Sequence, residues 1–378
     1  MLLSICSLFL ILLKEIVRNI QEKLTLYHRL HLVKNYKNIL LFYFLFMFSF
    51  ESNAYVQNEI LKLKKPPLKL SEYGFFKDMQ SQLPSEDVLP YTLESALFSD
   101  YADKLRFIYI PDKGFAKNVP GKVFDFPNGT ALIKTFAYLN SRINSNLPAQ
   151  LLETRLLIKK NGEWSNISYV WNESQNEAFL SIAGKTIPTK FVNNNGELQD
   201  VRYRVPNINQ CKECHQANKE ITPIGPKARN LNTIYAYGES SMNQLEKWHE
   251  LGWIDNDYQT KSMVDWANQN ASLDDRARSY LDINCGHCHI EGGSADTSGL
   301  YLNFNEDRKI NLGFYKKPVA TGRASNNLKY SIVPGKPEES ILLYRMQSLD
   351  PGIMMPESGR SLQHSEAIEL ISKWISNL

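Results

Sequence analysis

Two pentapeptides constrain this 378-residue chain more than anything else in it: Cys211-Lys212-Glu213-Cys214-His215 and Cys285-Gly286-His287-Cys288-His289. At this composition chance would give roughly 0.001 such patterns per chain, so coincidence is a poor account of two. Cysteines at i and i+3 share one face of a helical turn, and the histidine at i+4 falls just beyond them. Each segment must therefore fold as a short helical turn with three reactive groups on a common side. That pattern is the attachment site of c-type haem: both sulfurs become thioethers on one porphyrin edge, and the imidazole binds iron. The expected cofactor-binding residues are Cys211, Cys214, His215, Cys285, Cys288 and His289, with His215 and His289 as iron ligands. The competing expectation is one zinc ion held by all four thiolates. The pairs, however, are separated by about seventy residues and each adjoins a histidine, features that zinc does not need. A thioredoxin-like redox pair would need a βαβ surround, which neither site has.

The remaining composition narrows the setting. Five cysteines, an odd number, exclude a fully paired disulfide framework. With 43% hydrophobic and 22% charged residues the chain is neither disordered nor polytopic in a membrane. A charge of +3, from 43 basic against 40 acidic residues, is too balanced to make nucleic acid the default partner. Residues 39–50 form an apolar run too short to span a bilayer comfortably, preceded by Lys34 and Lys37 and followed by Ser52-Asn53-Ala54, with small residues at the −3 and −1 positions. This is the order of a secretory signal peptide, so residues 1–54 are expected to be a leader and the mature protein periplasmic. A second apolar stretch, Leu2 to Leu13, makes the leader over-long. Translation starting near Val33 would explain it, and a membrane anchor built from one or both stretches is the alternative. Cys6 lacks the small residue expected before a lipidated cysteine and is read as incidental.

The mature part divides by texture, and the expected class is α+β multidomain. Residues 55–84, with Lys62-Leu63-Lys64-Lys65-Pro66-Pro67, are expected to be a linker. Residues 85–205 are expected to form a β-rich domain. Asn161-Gly162 between two strand-like runs is a hairpin signal, Asn195-Gly196 marks another turn, and Phe126-Pro127-Asn128-Gly129 leads into an extended run from Thr130 to Tyr138. After Pro206 the pattern turns helical, with segments expected over Ser241–Leu251, Ser272–Asn284, Pro337–Gln347 and Ser365–Leu378. Ser272 suits an N-cap, with Asp274 and Asp275 in the first turn, and Pro337 suits a first helical position. In the last segment Ala367, Ile368, Ile371, Trp374, Ile375 and Leu378 share one face. Residues 206–270 would hold the first haem and 271–378 the second, in a mostly helical C-terminal half.

The spacing also suggests distal groups. Met354-Met355-Pro356 precedes the last helix, and a proline-stiffened Met355 suits a sixth ligand to the second iron, leaving Met354 to the core. For the first iron the downstream candidates are Met242, His249 and Met263, with a residue of the β-rich domain or a vacant position as alternatives. A backbone carbonyl in Ile224-Gly225-Pro226 would accept the His215 N–H. His287 is expected to face away from iron, and His364 to lie at the surface or a helix end. Glu153, Arg155, Tyr169 and Trp171 are read as ordinary strand residues that could otherwise reach over the first haem.

Residues 272–378 resemble a small single-haem cytochrome c domain: a helix runs into Cys285–His289, followed by Val333-Pro334-Gly335-Lys336-Pro337-Glu338-Glu339-Ser340-Ile341-Leu342-Leu343-Tyr344-Arg345, then Met355-Pro356 and a closing helix. From about residue 70 the chain is similar to a family of bacterial envelope dihaem c-type cytochromes. Shared stretches include Leu97-Phe98-Ser99-Asp100-Tyr101-Ala102, Tyr169-Val170-Trp171-Asn172 and Pro223-Ile224-Gly225-Pro226-Lys227-Ala228-Arg229-Asn230-Leu231-Asn232. The resemblance implies two haems and a redox role, with a partner protein in the cell envelope. Three functions follow as expectations: electron transfer, a dihaem oxidase or peroxidase with an open first haem, and a non-redox binding protein using Trp164, Tyr169 and Trp171 as an aromatic surface.

Overall fold

Apolar-rich strands, buried on both faces, build a six-stranded antiparallel sheet. A short pair, β1 (Phe76–Asp78) and β2 (Leu83–Pro84), precedes it, and its own strands follow chain order: β3 (Val88–Tyr91), β4 (Asp103–Tyr109), β5 (Ala131–Tyr138), β6 (Gln150–Lys160), β7 (Glu163–Trp171) and β8 (Ala178–Leu180). At the β6–β7 turn both Asn161 and Gly162 have positive φ, 51° and 86°, the geometry that makes this dipeptide a hairpin former. β9 (Lys185–Val192) and β10 (Leu198–Val205) form a separate hairpin around Asn195-Gly196. The computed structural model describes residues 14–18, 55–139, 148–256, 258, 260–319 and 321–378. The leader expected over 1–54, with Cys6, lies outside them apart from a helical turn at 14–18. Among the described residues no helix is long and apolar enough to cross a membrane.

Each face of the sheet has its own core. Phe107, Tyr109, Ile133, Leu156, Tyr169 and Trp171 point to one side, where they pack on Val56, Leu61, Leu70, Tyr73, Phe75 and Phe76. The stretch 55–84 is therefore not a linker. Its Lys-Pro run is only a surface excursion between α1 (Asn58–Lys62) and a 3₁₀ turn at Leu70–Tyr73, whose apolar residues are buried. Tyr73 stacks on Phe75 with centroids 5.0 Å apart, and Tyr169 Oη donates to the Pro67 carbonyl at 2.9 Å. On the opposite side Ile108 and Leu132 pack with Leu231, Leu245 and Trp248, which come from beyond Pro206.

The part beyond Pro206 is mixed in structure. Its helices are α2 (Ile208–His215), α3 (Ala228–Leu231), α4 (Gln244–Glu250), α5 (Leu273–Asn284), α6 (Ile341–Gln347) and α7 (Ser365–Ser376). Long irregular stretches separate them, so the expectation of a mostly helical half fails. The helix expected from Ser241 begins only at Gln244, because Ser240–Asn243 pairs with Ile234–Tyr237 and Asn243 then caps by accepting from Leu245 N. Pro337 opens a 3₁₀ turn, and the extended Ser340 separates it from α6. α5 starts on its expected Ser272 cap, whose hydroxyl accepts from Asp275 N at 3.1 Å. α7 buries Ala367, Leu370, Ile371, Trp374 and Ile375 against α5 and α6, while Leu378 is exposed past the helix end. Residues 54–378 belong to one compact unit, so both pentapeptides sit in the same body.

Candidate functional site

The first pentapeptide ends α2. Asn207 caps this helix by accepting from Asn209 N (3.0 Å) and Gln210 N (2.9 Å), and Gln210 Oε1 accepts from Asn207 N in return (3.1 Å). A short hairpin after His215 turns the chain back, so that Thr222 N donates to the His215 carbonyl at 2.6 Å. His215 Nδ1 lies 2.9 Å from the Thr222 carbonyl. A carbonyl only accepts, so Nδ1 carries the proton and Nε2 is left bare, which is the nitrogen an iron would bind. The orienting carbonyl was expected in Ile224–Pro226. The hairpin makes it Thr222 instead, and Pro223, Ile224, Gly225 and Pro226 line the cavity beside the ring. Burial, followed by the charge of Lys134, pushes the His215 imidazole down to about 4.

The other wall of that cavity is the sheet. Arg106 on β4, Lys134 on β5, Arg155 on β6 and Ser168 on β7 stand directly opposite one another and line it together with Leu132 and Leu157. Glu153, in the neighbouring register row, is fully buried; its Oε1 accepts from Tyr203 Oη at 2.7 Å and from Arg155. Arg155 thus lines the site and Glu153 bonds it from the adjoining row, whereas Tyr169 and Trp171 face the other core. Strand parity explains the split: residues i and i+2 share a face, and Tyr169 pairs with Thr154 rather than Arg155. The same parity puts Trp164 with the opposite core from Tyr169 and Trp171, so the three make no single aromatic surface. Burial first, then Arg155 and Arg106, pushes Lys134 down to about 7.

None of the expected downstream donors lines this cavity. Met242 stands opposite Tyr235 in its hairpin, and Met263 is buried in the core with Leu231 and Trp248. His249 Nδ1 donates to the Ile254 carbonyl at 3.1 Å. A donor to the first iron from these residues would have to leave a packed position.

The second pentapeptide follows α5. Gly286 is required there, since a Cβ would come within 2.8 Å of the Asp282 carbonyl oxygen and 3.0 Å of the Asn303 backbone. His289 Nδ1 faces Ser298 Oγ at 3.4 Å. That hydroxyl donates its proton to the Ala295 carbonyl at 2.7 Å, so it accepts from Nδ1 of the imidazole, which also bonds the Leu300 backbone. Met354 is buried and Met355 half-buried. Arg360 holds their loop. Its guanidinium donates to the carbonyls of Ser348 (2.8 Å) and Met355 (3.0 Å), and to Leu362 (3.1 Å) from the other terminal nitrogen. Asp100, from the β-rich part, anchors the next residues by accepting from Ser361 N (2.7 Å) and Leu362 N (2.8 Å). His364 is at a helix end but buried: it stacks on Phe98 with centroids 4.0 Å apart and meets Tyr280 Oη at 3.2 Å.

The two pentapeptides meet. Cys214, His287 and Cys288 place their donor atoms within 4.8 Å of one another. Cys288 Sγ donates to the Glu213 carbonyl at 3.4 Å, and Asn218 N to the Gly292 carbonyl at 2.8 Å. His287 is therefore turned towards the opposite motif. Asp282, one turn before Cys285, ties the two regions from below: it contacts Arg229 at 2.6 Å and Lys227 at 3.4 Å, and accepts from Phe304 N at 2.9 Å. An acidic residue in the buried stripe of α5 was the sequence signal for this junction.

Covalent haem attachment would need free thiols and an imidazole nitrogen open to iron. The four described cysteines are unbridged, His215 presents a bare Nε2, and His287 Nδ1 is buried without a partner at the junction. The cavity beside His215 measures about 70 Å³, room for water but not for a porphyrin. α2, which closes it, has no fully buried residue. Comparison with family models, curated proteins and solved structures gives no match to this chain.

Proposed function

We propose that the chain is a periplasmic dihaem c-type cytochrome that transfers electrons through two covalently attached haems, the second in a cytochrome c-like setting over 271–378. The observation that carries this proposal is the meeting of the two pentapeptides, which would bring both attachment edges together. Each haem, once bound, supplies a one-electron iron couple. The chain's own residues do the rest. The Thr222 carbonyl and Ser298 hydroxyl orient His215 and His289 and keep their Nδ1 protonated. Arg360 holds the Met355 loop, from which the thioether is the proposed sixth ligand of the second iron. The redox partner is a protein of the cell envelope. With no methionine or second histidine among the described residues lining the His215 cavity, the first iron is the place for an open coordination position, as a dihaem oxidase or peroxidase would need.

A second assignment rests on the same junction: Cys214, His287 and Cys288 could together hold one metal ion. The two exclude each other, because thioether formation removes the thiolates. Protein matured with the haem-attachment machinery decides between them by intact mass and by optical and spin-resonance spectra. Two haems, the second low-spin and inert to carbon monoxide, are expected. A colourless chain carrying only a metal ion would overturn the proposal.

A further inference from the structure

Arg106, Lys134 and Arg155 form one cross-strand row on the sheet face that looks towards α2. Lys134 and Arg155 also lie over the Phe136 ring, 5.1 and 4.2 Å from its centroid, with Lys104 at 5.8 Å. Like charges in direct register destabilise a sheet, and burying them costs more. Arg106 is only 8% exposed. Against these three cations the carboxylate in the adjoining row is Glu153, which already engages Tyr203 and Arg155. Arg155 Nε is buried with no partner. The row thus has spare charge and an unspent donor at a cavity otherwise walled by Leu132, Leu157, Pro223 and Ile224. Planar forks and an ammonium in this arrangement suit an oxygen anion and repel a cation.

We propose that the Arg106–Lys134–Arg155 row is an anion site that takes a carboxylate or tetrahedral oxyanion between the sheet and α2. Two sources share that chemistry: a diffusible oxyanion, or the porphyrin's own carboxylates. Only the second rests on the haem assignment. The experiment uses the full matured chain, with inorganic phosphate as probe in calorimetry at low ionic strength and the midpoint potential of each haem measured against pH. Lys134→Met is the main variant, since it removes one of three like charges in register while keeping the chain length; Arg106→Gln is the second, should the first fail to fold. A diffusible ligand is shown by phosphate binding that weakens about tenfold or more in either variant. Porphyrin carboxylates are shown by absence of phosphate binding together with an upward shift, in the variants, of the pH at which the first haem's potential changes, the second haem being unaffected. If phosphate does not bind and neither variant moves that pH, there is no anion site. Haem content measured on the same samples tests the redox assignment separately: a haem-free chain whose phosphate binding is lost in Lys134→Met overturns that assignment and supports this one.

Discussion

Arg360 is the residue on which the proposed sixth ligand of the second haem depends. Its side chain is 4% exposed, and three of its contacts are good hydrogen bonds to carbonyls: Ser348 at 2.8 Å, Met355 at 3.0 Å and Leu362 at 3.1 Å. Truncation in Arg360→Ala would leave these carbonyls without their cationic donor. A hydrogen bond to a charged group contributes about 1.5–3 kcal/mol. Part of the loss is offset because the guanidinium is no longer desolvated and water enters the space. The net cost worked from the three bonds is about 3–5 kcal/mol, large for one substitution. Because the bonds converge on both ends of the Ser348–Met355 loop, the same change frees the methionine. Matured Arg360→Ala protein should therefore show lower stability in urea and a second haem that binds carbon monoxide. Arg360→Lys keeps the charge but not the fork, and should recover only part of either property. If Arg360→Ala lost about 3 kcal/mol or more yet kept a carbon monoxide-inert second haem, Met355 would not be held by this clamp. If it lost less than about 1 kcal/mol, the bond count itself would be wrong.

Other residues make independent predictions. Burial, only partly offset by Glu366, holds His364 down at about 4 against an ordinary value near 6.5. Between those values the unfolded chain binds the extra proton, so stability should fall as the pH drops from about 6.5 towards 4, by on the order of 3 kcal/mol. His364→Phe should flatten that slope in urea titrations, and an unchanged slope would refute the assignment. Burial tends to raise the Asp282 carboxyl, but Lys227 and Arg229 outweigh it and hold it below the ordinary range. Asp282→Asn should cost about 3–5 kcal/mol by stranding those cations, and a loss under about 1 kcal/mol would show that the pair contributes nothing net. Gly286→Ala should be destabilising because its Cβ meets two backbone segments, and a wild-type melting curve would contradict the close approach. Cys285→Ala with Cys288→Ala should lower the mature mass by one haem and leave the first haem's spectrum in place.

Local chemistry was legible wherever a short segment carries its own constraint. The Asn161-Gly162 turn, the Ser272 cap and the apolar face of α7 all follow from neighbouring residues, and the structure places each where the pattern puts it, Leu378 excepted. The segment 55–84 misled because its Lys-Pro run is conspicuous, whereas Leu70, Tyr73 and Phe75 are single apolar residues that matter only against the sheet. Glu153 and Arg155 could not be told from Tyr169 and Trp171 without the register, since one residue of slip exchanges the two faces.

The two Cys-x-x-Cys-His segments announce their donors by themselves, because a helical turn alone sets three side chains on one side. That Cys214 lies against Cys288 and His287, that Thr222 orients His215, and that three cations line up opposite it were decided by chain reversal and strand pairing. Such contacts join residues far apart in sequence. Their energy comes from burying both faces of one sheet, which no local pattern encodes.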